Sequence, residues 1–168
     1  MSEKKEKAGR NRTLTVTPDE KTSLEPFIHS LDKLKNGFER DVVVNANLLD
    51  CLAYIPNNSF DLIIIDPPYN LDKNFHGKKF SSMSNADYED YLRSWFTSVC
   101  DKLKSNGSLY MCGDWKCSSS MQRVIEENLT IINRITWQRE KGRGALKNWK
   151  NGMEDIWFAV KKSKRLLF

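Results

Sequence analysis

Asp66-Pro67-Pro68-Tyr69 gathers a carboxylate, two proline-held carbonyls and an aromatic ring into four consecutive residues. Proline fixes φ and carries no backbone donor, so this stretch is stiff and rich in acceptors. It directly follows Leu62-Ile63-Ile64-Ile65, an apolar run that reads as a strand buried on both faces of a mostly parallel sheet. The prolines then end the ladder. The chemistry-bearing groups are thereby placed at the carboxyl edge of a central strand, where open α/β sheets bind ligands. That combination suits a reaction centre. Asp-Pro-Pro also makes an ordinary turn, so the neighbouring residues must decide.

Asn58-Ser59-Phe60-Asp61 leads into the strand and Asn70-Leu71 follows the tyrosine. With these flanks, Asp66-Pro67-Pro68-Tyr69 resembles the catalytic motif of the DNA amino-methyltransferases, which methylate adenine N6 or cytosine N4 from S-adenosylmethionine. The stretch from Asp50-Cys51-Leu52 through Ile55-Pro56-Asn57-Asn58-Ser59-Phe60-Asp61-Leu62 to Asn70 resembles the permuted branch, whose catalytic motif precedes the cofactor motif. Ile135-Thr136-Trp137-Gln138, the basic glycine loop after it, and Glu154-Asp155-Ile156-Trp157-Phe158 resemble that branch too. The likeness runs from Asp41 to Phe168. It implies an α/β fold: a Rossmann-like methyltransferase sheet, mostly parallel, with an antiparallel edge hairpin, and incomplete in this chain.

The resemblance also implies roles. An exocyclic amino group is a poor nucleophile because its lone pair is delocalised into the ring. The Asp66 carboxylate and the Pro67 carbonyl would each accept one amino hydrogen, freeing the lone pair to attack the sulfonium methyl in line. This is positioning and electrostatics rather than covalent catalysis. Pro68 completes the rigid turn, and Tyr69 would stack on a base rotated out of the duplex. The aspartate form of the motif is the commoner one for adenine, and serine often replaces it in cytosine-N4 enzymes. Adenine is therefore favoured, with cytosine the alternative. Asp66 would also lie against the cofactor. The family often has an aspartate near the start of the preceding helix, reaching the cofactor's adenosine; Asn47 holds that place here, and a helix cap explains Asn47 equally well.

Composition sets broader bounds. The chain has 168 residues, is 39% hydrophobic and carries a net charge of +5, consistent with one domain and a polyanionic partner such as DNA. Cys51, Cys100, Cys112 and Cys117 show no zinc-type pairing, and the two histidines, His29 and His76, add no ligand pattern. Reduced thiols are expected, with no metal. No apolar run approaches the length of a membrane span or signal core. A cytoplasmic protein without membrane contact is the expectation.

Elements of alternating type must position the motif. Residues 1–23 read as a basic flexible arm and 24–168 as a partial methyltransferase domain. Leu24, Phe27, Ile28, Leu31, Leu34 and Phe38 predict a helix closed by Asn36-Gly37. Asp41–Asn45 predicts a strand, Asn47–Tyr54 a short helix, and Leu71–Ser84 a polar loop. Tyr88, Tyr91, Leu92, Trp95, Val99 and Leu103 mark one stripe of a helix capped by Ser84 and Asp87 and stopped by Asn106-Gly107. A strand over Ser108–Cys112 then carries Asp114 to the same rim as the motif. A helix over Met121–Glu127 follows, and strands over Ile131–Gln138 and Ile156–Lys161 close an edge hairpin.

Between those last strands lie Arg139, Lys141, Arg143, Lys147, Trp149 and Lys150. Cations with an interleaved aromatic suit phosphate contacts and base stacking, and the family loop at this place implies DNA contact. A second signal is an absence. The family's Phe-x-Gly-x-Gly cofactor turn occurs nowhere in these residues. The expectation is a catalytic half that needs a complementary chain or downstream segment to hold the cofactor. A non-catalytic nucleic-acid-binding remnant, or a methyltransferase acting on RNA or a protein amide, are the competing readings.

Overall fold

The computed structural model describes residues 15–75, 77–143, 149 and 151–161. The chain divides into two compact units, Met1–Tyr54 and Ile55–Phe168. The first begins with α1 (Pro18–Leu24), opened by a capping box in which Thr17 and Glu20 satisfy each other's backbone N–H groups at 3.2 and 2.8 Å. A 3-10 turn at Glu25–Phe27 leads to β1 (Ile28–His29), α2 (Leu31–Lys35), β2 (Val43–Val44) and α3 (Leu48–Leu52). β1 and β2 pair in parallel.

The single helix expected over Leu24–Phe38 is therefore a correction. Pro26 cannot continue the α1 ladder, and Ile28–His29 finds a better partner in Val43–Val44. Only α2 keeps the helical pattern. Gly37, at φ +148, follows its end as the sequence implied. The boundary expected after residue 23 falls inside α1.

The second unit contains the motif. β3 (Phe60–Ile65), a small antiparallel hairpin of β4 (Lys73–Phe75) and β5 (Lys78–Phe80), α4 (Asn85–Lys102), β6 (Leu103–Gly113), α5 (Ser118–Asn128), β7 (Leu129–Arg143) and β8 (Asn151–Lys161) follow in order. Four of these strands form a mixed sheet in the order β3-β6-β8-β7. β3 runs parallel to β6, while β6–β8 and β8–β7 are antiparallel. The α/β class and the edge hairpin match expectation, but parallel pairs are the minority in this sheet.

One face of the sheet is the core. Leu109, Met111 and Ala159 are fully buried, beneath Leu92, Phe96 and Val99 of α4 and Met121, Val124 and Ile125 of α5. Register puts Leu62, Ile64, Tyr110, Phe158, Ile156, Ile135 and Trp137 on the other face. Ile64 there is 68% exposed and Trp137 61%. β3 is thus not a central strand buried on both faces. It is the sheet's edge among the described residues, and its apolar run covers one face only.

Two more expectations change. Asn106-Gly107 does not stop α4, which ends at Lys102. It lies in a register shift of β6 between the Phe60↔Leu103 and Leu62↔Ser108 pairs. The polar loop over Leu71–Ser84 holds the β4–β5 hairpin. The Asn74 side chain accepts the Gly77 N–H at 2.8 Å there, and Gly77 takes φ +95.

Across the α4–α5 packing, Glu89 accepts from Arg123 at 2.5 and 2.8 Å and from Arg93 at 3.3 Å. The Arg123 guanidinium, assisted by Ser120 and Arg93, holds the Glu89 carboxyl below its ordinary range. A lowered folded value stabilises above the unfolded value near pH 4.5 and is lost as pH falls through the folded one. Glu89→Gln should cost about 1 kcal/mol at pH 7 and remove that part of the acid sensitivity. Thermal melts of both proteins between pH 7 and pH 3 check this.

Candidate active site

β3 stops at Ile65, paired with Met111 of β6. Asp66 then emerges exposed, Pro67 is buried, and Pro68, Tyr69 and Asn70 are half-buried. The turn is compact, since the Leu71 N–H bonds back to the Tyr69 carbonyl at 2.5 Å. Burial pushes the Tyr69 phenol far above its ordinary range, and the adjoining Asp66 carboxylate adds a hydrogen bond and a negative charge in the same direction. Tyr69 therefore remains a phenol beside the Asp66 carboxylate.

The turn is fastened to its surroundings. Asn70 forms a two-bond ring with the Met83 backbone, its Nδ2 donating to the carbonyl and its Oδ1 accepting the N–H, both at 2.8 Å. Tyr88 of α4 donates its hydroxyl to the Pro68 carbonyl at 3.0 Å. Cys112 of β6 lies near Asp66; burial first and then that negative charge raise its thiol. Burial raises Cys117 as well. Neither sulfur has the lowered pKa of a reactive thiolate.

Asp114 serves its own loop. Its Oδ1 accepts the Lys116 N–H at 3.0 Å, and its carbonyl accepts the Cys117 N–H at 3.1 Å, so it closes the turn that leads into α5, whose N-cap is Cys117. Beside it Trp115 is 54% exposed, with Lys116 Nζ 5.9 Å from its ring centre. Gly113 allows this rim to be tight. A Cβ there would run into Met121 Sδ, so another residue would force the buried Met121 side chain to move.

The other predicted site residues belong to other elements. Asn47 belongs to the first unit, where its Oδ1 caps α3 by accepting the Leu49 N–H at 3.0 Å. Arg139 is ion-paired with Glu154 on the adjacent strand, so part of its charge is spent locally. Lys141 and Arg143 fall on the β7 backbone, with side chains outside the described residues. Trp149 is 96% exposed. Lys147, Lys150, His76, residues 1–14 and the basic residues after Lys161 also lie outside the described residues. Tyr88 is the contact sequence reasoning missed: it reads as core stripe, and only the return of α4 brings it to the motif. Among the described residues no cluster of His, Cys, Asp and Glu is arranged to hold a metal ion. None of the described helices is long and apolar enough to cross a membrane.

Residues 60–168 match the family described as DNA methylase, of N6/N4 type. The chain is 34% identical over 132 residues to the type II methyltransferase M1.MboII of Moraxella bovis, covering 77% of this chain and 49% of that protein. Against the DNA adenine methyltransferase YhdJ of Escherichia coli K12 it is 32% identical over 137 residues, covering 79% and 45%. It spans about half the length of these curated relatives. Among solved structures, the PvuII cytosine-N4-specific DNA methyltransferase superposes with a TM-score of 0.59 at 18% identity, over 72% of this chain and 49% of that one. A Thermus thermophilus protein solved with S-adenosyl-L-methionine gives 0.50 at 18%, over 67% and 49%. At such identities the likeness establishes a shared fold.

Proposed function

The chain belongs to the N6/N4 DNA methylase family, and from that premise we propose that it is the base-gripping half of a DNA adenine-N6 methyltransferase using S-adenosylmethionine. The observation that carries this is the rim of β3, where the exposed Asp66 carboxylate adjoins the Pro67 carbonyl and the Tyr69 ring. Two acceptors and a flat ring match the needs of an extruded adenine amino group. Asp66 and Pro67 take one hydrogen each, and the lone pair is left to attack. Tyr69 fixes the base plane by stacking. The same acceptors fit a cytosine N4 group, so that substrate is the second reading; it is the substrate named for the solved fold relative, while adenine is the one named for a curated relative.

S-adenosylmethionine, when bound, supplies an electrophilic methyl on a positively charged sulfonium. The exposed Asp66 carboxylate suits that charge. Asn47, with its Oδ1 engaged by the Leu49 N–H, would offer Nδ2 to the adenosine. The glycine turn that would cradle the rest occurs nowhere in the sequence. The cofactor's remaining contacts are assigned to a complementary segment carrying Phe-x-Gly-x-Gly. The open apolar face with Leu62 and Ile64 at its β3 edge offers that segment a surface to cover, since a sheet buries both apolar faces in a layered domain.

Calorimetric titration and tritiated-methyl transfer test the proposal. The 168-residue chain should bind S-adenosylmethionine weakly and transfer little. Co-expression with a segment bearing the glycine turn should restore transfer to DNA, in preference to RNA or protein. Robust turnover by the isolated chain would refute the division of labour. Neutralising Lys147 and Lys150 together should weaken DNA binding and flatten its salt dependence, by about one unit of slope for each phosphate that goes unneutralised. Unchanged affinity at low salt would leave that loop merely solvated.

A further inference from the structure

Tyr69 sits between two residues that are held from elsewhere in the chain. On its N-terminal side, the Pro68 carbonyl accepts the Tyr88 hydroxyl at 3.0 Å. Tyr88 lies in the first turn of α4 and is 0% exposed. On its C-terminal side, the Asn70 side chain is joined to the Met83 backbone by two bonds of 2.8 Å.

This matters because proline restrains only part of the turn. Its rings fix φ at Pro67 and Pro68, but ψ of Pro68 and both torsions of Tyr69 remain soft, and they aim the tyrosine ring. The Pro67 carbonyl is aimed by ψ of Pro67, which the ring also leaves soft, and holding the next carbonyl along the chain restrains it. Packing alone does not require the bond: the Tyr88 ring stacks with Tyr91 at 5.9 Å whether or not a hydroxyl is present.

We infer that Tyr88 is a positioning residue that locks the Pro68–Tyr69 backbone, so that the Tyr69 ring and the Pro67 carbonyl stay set for the target base. What the turn grips rests on the methylase reading; the lock itself does not.

Pro68–Tyr69 is the single Pro-Tyr step in the sequence. A chain labelled with carbonyl-13C proline and 15N tyrosine therefore gives one carbonyl–amide cross-peak. Tyr88→Phe should move that peak upfield in carbon and broaden it, whereas Tyr91→Phe should leave it in place. In the reconstituted enzyme, Tyr88→Phe should lower kcat while KM for S-adenosylmethionine holds. A peak unmoved by Tyr88→Phe, or moved equally by Tyr91→Phe, overturns the lock and leaves the methylase reading standing. A moved peak with no methyl transfer by any form, wild type included, keeps the lock and removes the methylase reading.

Discussion

Asp66→Asn should reduce methyl transfer by about 10²–10³-fold, the scale for losing one preorganised group at a developing charge. Asparagine matches the shape of aspartate and keeps one acceptor oxygen. It replaces the other with an amide that donates, so it meets the amino hydrogens of the target with hydrogens of its own. The negative charge that offsets positive character on the attacking nitrogen disappears too. Asp66 is exposed and the substitution keeps its shape, so the melting temperature should hardly move. Single-turnover tritium transfer in the reconstituted enzyme measures the loss. A variant that keeps wild-type turnover would detach the carboxylate from the chemistry.

Tyr69→Ala comes next in size. Stacking one base on an aromatic ring contributes about 1–3 kcal/mol, so removing the ring should weaken capture of the extruded base by about 5- to 140-fold. Tyr69→Phe keeps the stacking face and loses only the hydroxyl, so it should retain most of that affinity. Fluorescence of 2-aminopurine at the target position reports base extrusion and orders the three proteins. Equal fluorescence for the Ala and wild-type forms would mean that the ring does not touch the base.

The motif and its place at a strand end were legible because Asp66-Pro67-Pro68-Tyr69 is a local signal, specified by four adjacent residues. The stripe of α4 and the cap at Ser84, whose side chain accepts the Asp87 N–H at 3.2 Å, were legible for the same reason. The position of β3 in its sheet was not. An apolar run states that a strand is wanted, but which neighbours cover its faces depends on partners far along the chain. Pro26 was a local signal passed over in favour of helical periodicity, and the weak pull of Val43–Val44 on Ile28–His29 completed the break. Register shifts such as that at Asn106-Gly107 arise from pairing and leave no mark in composition. The backing of the turn by Tyr88 belongs to the same class. A residue 20 positions downstream of Pro68 reaches it only through the return of α4.

The proposal stands on how Asp66 and Pro67 meet a nucleobase. The most direct measurement is a crystal structure of the reconstituted enzyme with a nonreactive cofactor analogue and an adenine-containing oligonucleotide. The predicted result is an adenine outside the helix, stacked on Tyr69, with its amino nitrogen within about 3 Å of both the Asp66 carboxylate and the Pro67 carbonyl. A base held elsewhere, with Asp66 turned away from it, would contradict the assignment.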